Sequence, residues 1–172
     1  MELNYSTLHK HKSQDIGRQL QNASLYFRPK NGMEVVTAGG WNAGKAIFYN
    51  DLGEGQAYGN EYWGQARFKY KGWFAQTYYI KNDGGDDSNP NYLNRTGLIV
   101  PLERSHYEAQ IQYNFNVPTL SNSEWTVGLD YRDAKADTEN HVYGRNEDND
   151  DYMLYGAYAQ AKFKLEPKLD LF

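Results

Sequence analysis

Residues 106–117, HYEAQIQYNFNV, constrain the chain more than any other stretch. Tyr107, Ala109, Ile111, Tyr113, Phe115 and Val117 fall on one parity, and Glu108, Gln110, Gln112, Asn114 and Asn116 on the other. A period of two is a β-strand with one face in an apolar medium and one in a polar medium. A protein core and a lipid bilayer both satisfy that pattern, and the choice between them decides the function.

The alternation recurs along the chain. Trp125, Val127, Leu129 and Tyr131 oppose Thr126, Gly128 and Asp130. Met153, Tyr155, Ala157, Ala159, Ala161 and Phe163 oppose Gly156, Tyr158, Gln160 and Lys162. Tyr58, Tyr62, Ala66, Phe68 and Tyr70 oppose Glu61, Gln65, Arg67 and Lys69, and Ala23, Leu25 and Phe27 oppose Asn22, Ser24 and Tyr26. The stretch 73–82 has apolar residues on both parities. Strands are expected near 1–10, 18–28, 32–42, 57–70, 73–82, 106–117, 124–135 and 152–165, with a ninth starting at Lys168. No segment shows a capped helical period. The expected fold is all-β: an antiparallel up-and-down meander of eight to nine strands.

The connections sharpen this reading. Those at 29–31, 71–72, 118–123 and 166–167 are turn-like, and the alternate ones at 11–17, 43–56, 83–105 and 136–151 are longer and polar. Alternate connections of a meander lie at one end, so tight turns gather at one end and long loops at the other. That is the layout of an outer-membrane barrel.

Composition agrees. With 16 Tyr, 7 Phe and 4 Trp in 172 residues, the chain is rich in side chains that favour strands and concentrate at membrane–water interfaces. A mean hydropathy of −0.88 excludes a helical membrane protein but not a barrel, in which only alternate residues face lipid. The net charge of −4 speaks against nucleic-acid binding. The absence of cysteine excludes a disulfide scaffold, a thiolate zinc site and a cysteine nucleophile.

Several stretches resemble the barrel of TonB-dependent outer-membrane receptors: IFYNDLGEGQAYG (47–59), KGWFAQTYYIKNDGGD (71–86), EAQIQYNF (108–115), YGRNEDNDDYMLYGAYAQ (143–160) and PKLDLF (167–172). The resemblance implies that 1–172 is part of such a barrel domain, without the plug. It implies a place in the outer membrane of a Gram-negative bacterium and uptake of a scarce ligand, a ferric siderophore or other chelate. The implied partners are membrane lipid, the rest of the barrel and its plug, with TonB reached only through that plug. No enzymatic step and no cofactor are expected. A self-contained small barrel with an adhesive or structural role, and a soluble carbohydrate-binding β-sandwich, are the alternatives.

Candidate chemistry is sparse. Phe48, Tyr49 and Tyr92, in the long connections, are candidates for stacking on a ligand, whereas Tyr143 reads as an interface aromatic. The acidic run Glu147-Asp148-Asn149-Asp150-Asp151 lacks the spacing of a calcium loop and reads as solvated. His9 and His11 share a face but sit beside lysines, so no metal site is expected. Gly53–Gly59 has the wrong spacing for a dinucleotide turn, and Ser105 and His106 are adjacent strand residues that point apart.

Overall fold

The computed structural model describes residues 2–5, 18–50, 53–85, 91–93, 96–99, 101–120, 123–141, 144–166 and 169–171. Seven long strands form one antiparallel sheet: β2 (Arg18–Phe27), β3 (Glu34–Asn50), β4 (Gly53–Tyr70), β5 (Trp73–Gly84), β7 (Leu102–Val117), β8 (Ser123–Asp137) and β9 (Tyr152–Glu166). Short strands β1 (Glu2–Tyr5) and β10 (Leu169–Leu171) lie at its two sides, and β6 (Tyr92–Leu93) pairs with β4 beyond the end of β5. Each long strand neighbours its successor, so the meander is as expected. Among the described residues the sheet is open, with no pairing between its first and last strands.

Among the described residues no second layer covers this sheet. The main contacts between described elements join neighbouring strands, together with those of β8 with a short 3-10 helix at Gly144–Asn149. Among the described apolar strand residues with a side chain only Val36 and Ala43 are buried. Among the described residues the apolar parity of each strand therefore faces outward from a single layer, with no protein core behind it.

Register puts these parities on one side. Ala75 lies opposite Ile111, Ile111 opposite Leu129, and Leu129 opposite Ala157. The ambiguous stretch 73–82 is settled by its neighbours: Trp73, Ala75, Thr77 and Tyr79 join the apolar face, and Phe74, Gln76, Tyr78 and Ile80 the polar one.

The tight turns are locally enforced. Lys71 has φ 52°, the left-handed conformation of a two-residue hairpin turn. A Cβ on Gly72 would meet the Asn114 carbonyl oxygen at 2.2 Å, so only glycine fits, and the Gly72 carbonyl accepts the Asn114 N–H at 2.8 Å.

Three sequence boundaries need correction. The stretch 43–56 is not an irregular loop: β3 and β4 stay paired from Glu34–Lys69 to Asn50–Gly53, giving a hairpin that projects past β2 and β5. The interval 83–105 contains β6, and 136–151 contains the end of β8 and the 3-10 helix. The N-terminal strand is described only over Glu2–Tyr5, so His9 and His11 lie outside the described residues, as does Tyr143.

Candidate functional site

Two rows of aromatic rings cross the apolar face. Near the tight turns, Trp73 and Tyr113 have centroids 4.5 Å apart, Tyr113 and Phe115 5.7 Å, Phe115 and Trp125 6.4 Å, and Trp125 and Phe163 6.1 Å. Near the long connections, Trp41 stacks on Tyr62 at 6.5 Å, and Tyr107, Tyr131 and Tyr155 follow one another at 5.8 and 5.3 Å. Six to eight residues separate the rows on one strand, as from Trp73 to Tyr79 and from Tyr107 to Phe115. At ~3.4 Å per residue this is about 20–27 Å along the strand.

The band between the rows holds small and aliphatic side chains: Gly64 and Ala66, Ala75 and Thr77, Ala109 and Ile111, Val127 and Leu129, Ala157 and Ala159. No charge interrupts it. Its Thr77 hydroxyl donates to the Glu108 carbonyl at 3.0 Å. Leu129 is 58% exposed and Ile111 43%, although water is a poor medium for both.

The opposite face is a polar network. The Glu108 carboxylate receives the Arg132 guanidinium at 3.2 Å and lies 2.9 Å from His106 Nε2. Tyr158 donates to Gln112 at 3.0 Å and accepts from Gln110 at 3.2 Å, its ring lying over Gly128. A Cβ on Gly128 would meet that ring at 2.4 Å, so the vacancy at 128 is what lets Tyr158 lie down across β8. Ser105 belongs to the apolar parity and His106 to the polar one, and the two do not form a nucleophile–base pair.

The strand ends carry ion pairs. At the turn end Glu34 sits 2.6 Å from Arg28, which donates a hydrogen bond to it, and 3.5 Å from Arg67. At the other end the Lys81 ammonium lies 2.7 Å from Glu103.

The acidic run is more structured than a solvated loop. Glu147 accepts hydrogen bonds from the Thr138 N–H, from the Thr138 hydroxyl at 2.8 Å and from the Asn140 N–H at 3.0 Å. Asp151 accepts the Ala136 N–H at 3.2 Å. These carboxylates hold the connection to the end of β8. Asp150 differs from them: both its oxygens are buried without a hydrogen-bond partner, and it lines an open groove of about 520 Å³ on the polar face. Among the described residues no group of three His, Asp or Glu is placed to hold a metal.

Of the three aromatic candidates, register puts Tyr49 and Tyr92 on one face and Phe48 on the other. Phe48 lies opposite Gly55 and Tyr49 opposite Glu54 in the projecting hairpin, and consecutive strand residues face opposite sides. Tyr49 is 77% exposed. Tyr92 is opposite Gln56, in one row with Ile47. The foot of its segment is pinned by Asn91, whose side-chain oxygen accepts the Tyr58 N–H at 2.6 Å. The placements of Asp150 and Arg104 were missed by sequence reasoning. Alternation puts Arg104 on the polar parity, but no local signal marks either residue as groove-lining.

No family model, curated protein or solved structure matches the chain.

Proposed function

We propose that the chain is part of the wall of a TonB-dependent outer-membrane receptor, which takes up a scarce ligand, a ferric siderophore or other chelate. The observation that carries the membrane part of this reading is the uncharged aliphatic band bounded by two aromatic rows on an uncovered face. Outer-membrane barrels carry such a band, about 25 Å tall, between aromatic girdles. In a soluble protein the same face would be an exposed apolar surface far larger than monomers tolerate. The tight turns then face the periplasm and the long connections the exterior. The polar face lines the lumen, where hydrogen-bonded amides and paired charges are stable in water.

The receptor assignment rests on the resemblance of the barrel segments, together with the ligand class it implies. The strands contribute wall, and the projecting β3–β4 hairpin with the connections at 83–105 and 136–151 contributes part of the vestibule. Nothing on either face calls for covalent chemistry by this chain.

The four tryptophans supply the test. Trp73 and Trp125 lie in the turn-end row, Trp41 in the other row, and Trp63 on the polar face over Gly40. In single-tryptophan variants reconstituted in vesicles, lipids brominated high on the acyl chain quench Trp41, Trp73 and Trp125 and spare Trp63. Equal quenching of all four, or none, refutes the membrane reading.

A further inference from the structure

Charge is segregated along this sheet. Around the turns that join β2 to β3 and β4 to β5 stand Arg28, Lys30, Arg67, Lys69 and Lys71, all exposed. Against them are Glu34 and, by its register with Tyr26, Glu2. Carboxylates gather at the other end, among them Asp83, Glu103, Asp137 and Glu147. A chain of net charge −4 therefore has a basic end.

β4 presents the open part of this patch. Gln65, Arg67 and Lys69 follow one another on its polar parity, each exposed, with the exposed Gln76 opposite Arg67. Glu34 lies 2.6 Å from Arg28 but only 3.5 Å from Arg67. Lys69 stands across the ladder from Glu34, yet it has no ion pair of its own among the described residues. Two residues along a strand set Arg67 and Lys69 ~7 Å apart, which is also the spacing of side chains i and i+2 in any extended peptide. The amides of Gln65 and Gln76 beside them can donate to and accept from peptide groups.

Face and charge narrow the partner. On the membrane reading, lipid headgroups border the opposite parity, where Phe68, Tyr70 and Trp73 stand at this end. A net charge of −4 makes the chain a poor partner for nucleic acid. We propose that the polar face of β4, at the turn end, docks an extended acidic segment of polypeptide whose alternate carboxylates meet Arg67 and Lys69. Its place at the periplasmic mouth rests on the membrane reading, but the charge pairing does not.

The test is fluorescence anisotropy of a coumarin-labelled hexapeptide alternating threonine and glutamate, added to the full chain in zwitterionic micelles at low salt. The alternating peptide binds, and added salt weakens it. A peptide of the same composition with its glutamates contiguous binds about threefold less, because an extended chain sends neighbouring side chains to opposite sides. Arg67→Gln and Lys69→Gln each weaken the alternating peptide about threefold and the double variant about tenfold, the scale of exposed ion pairs. Arg67→Lys keeps the binding, and Lys135→Gln, on the other face at the other end, leaves it unchanged. The proposal is overturned if folded chain ignores the alternating peptide, if the contiguous peptide binds equally, or if Lys135→Gln costs as much as the β4 variants. Displacement of the peptide by equimolar inorganic phosphate, or by phosphatidylglycerol added to the micelles, also overturns it, in favour of a small anion or a lipid. Bromolipid quenching of the same chain in vesicles reports the membrane reading separately. If that fails, the titration is repeated in plain buffer and judged by the same outcomes.

Discussion

Placing an arginine at Ile111 separates the two media that the apolar face has to choose between. Ile111 lies four residues from Tyr107 and four from Phe115, about 14 Å along the strand from each aromatic row. It is thus the centre of the band, flanked by Ala75 on β5 and Leu129 on β8. If the medium is water, a 43% exposed position with no specific partner tolerates arginine within about 0.5 kcal/mol. If the medium is hydrocarbon, arginine at mid-depth costs about 2–4 kcal/mol. The matched control is Gln65→Arg, on the exposed polar face opposite Ala38 and Tyr78, where the expected change is under about 0.5 kcal/mol. Equilibrium folding into phospholipid vesicles, followed by tryptophan emission across a urea series, reads both variants. A cost below 1 kcal/mol for Ile111→Arg, or equal costs for the two, would refute the assignment of the faces.

Two further outcomes follow from the packing and the charges. Gly128→Ala sets a methyl group into the Tyr158 ring, which must swing away and give up its bonds to Gln110 and Gln112; a loss of about 1–3 kcal/mol is expected in the same urea series, and an unchanged midpoint would show that the ring has room to move. Arg28→Gln, which removes the 2.6 Å pair with Glu34 between two water-facing side chains, is expected to cost under about 1 kcal/mol in the same series, and a loss above about 2 kcal/mol would count against a wet environment at that end.

Strand periodicity was the most legible property of this chain because it is local. Side chains alternate across a strand whatever its partner is, so residues 106–117 and 124–135 announce their faces without reference to the rest of the molecule. Tight turns are equally local: Lys71-Gly72 and the Pro-containing turns write their geometry into three or four residues. From these came the all-β meander and the division into a short-turn end and a long-connection end.

Register was beyond the sequence, because it depends on which residue of one strand meets which residue of the next. Only pairing brings Trp73 to Tyr113 and Tyr131 to Tyr155, and so turns scattered aromatics into two rows around an uncharged band. The projecting hairpin was missed for the same reason. Residues 43–56 mix glycine, charge and aromatics in a way that reads as loop, yet β3 and β4 offer each other an unbroken ladder of backbone partners. The acidic run shows the limit most clearly. Composition marks Glu147, Asp150 and Asp151 alike as solvated, whereas the folded chain gives Glu147 three donors, gives Asp151 one and leaves the half-buried Asp150 with covered oxygens and none. Charge is a property of the residue, but its partners are set by the strands that happen to lie beside it.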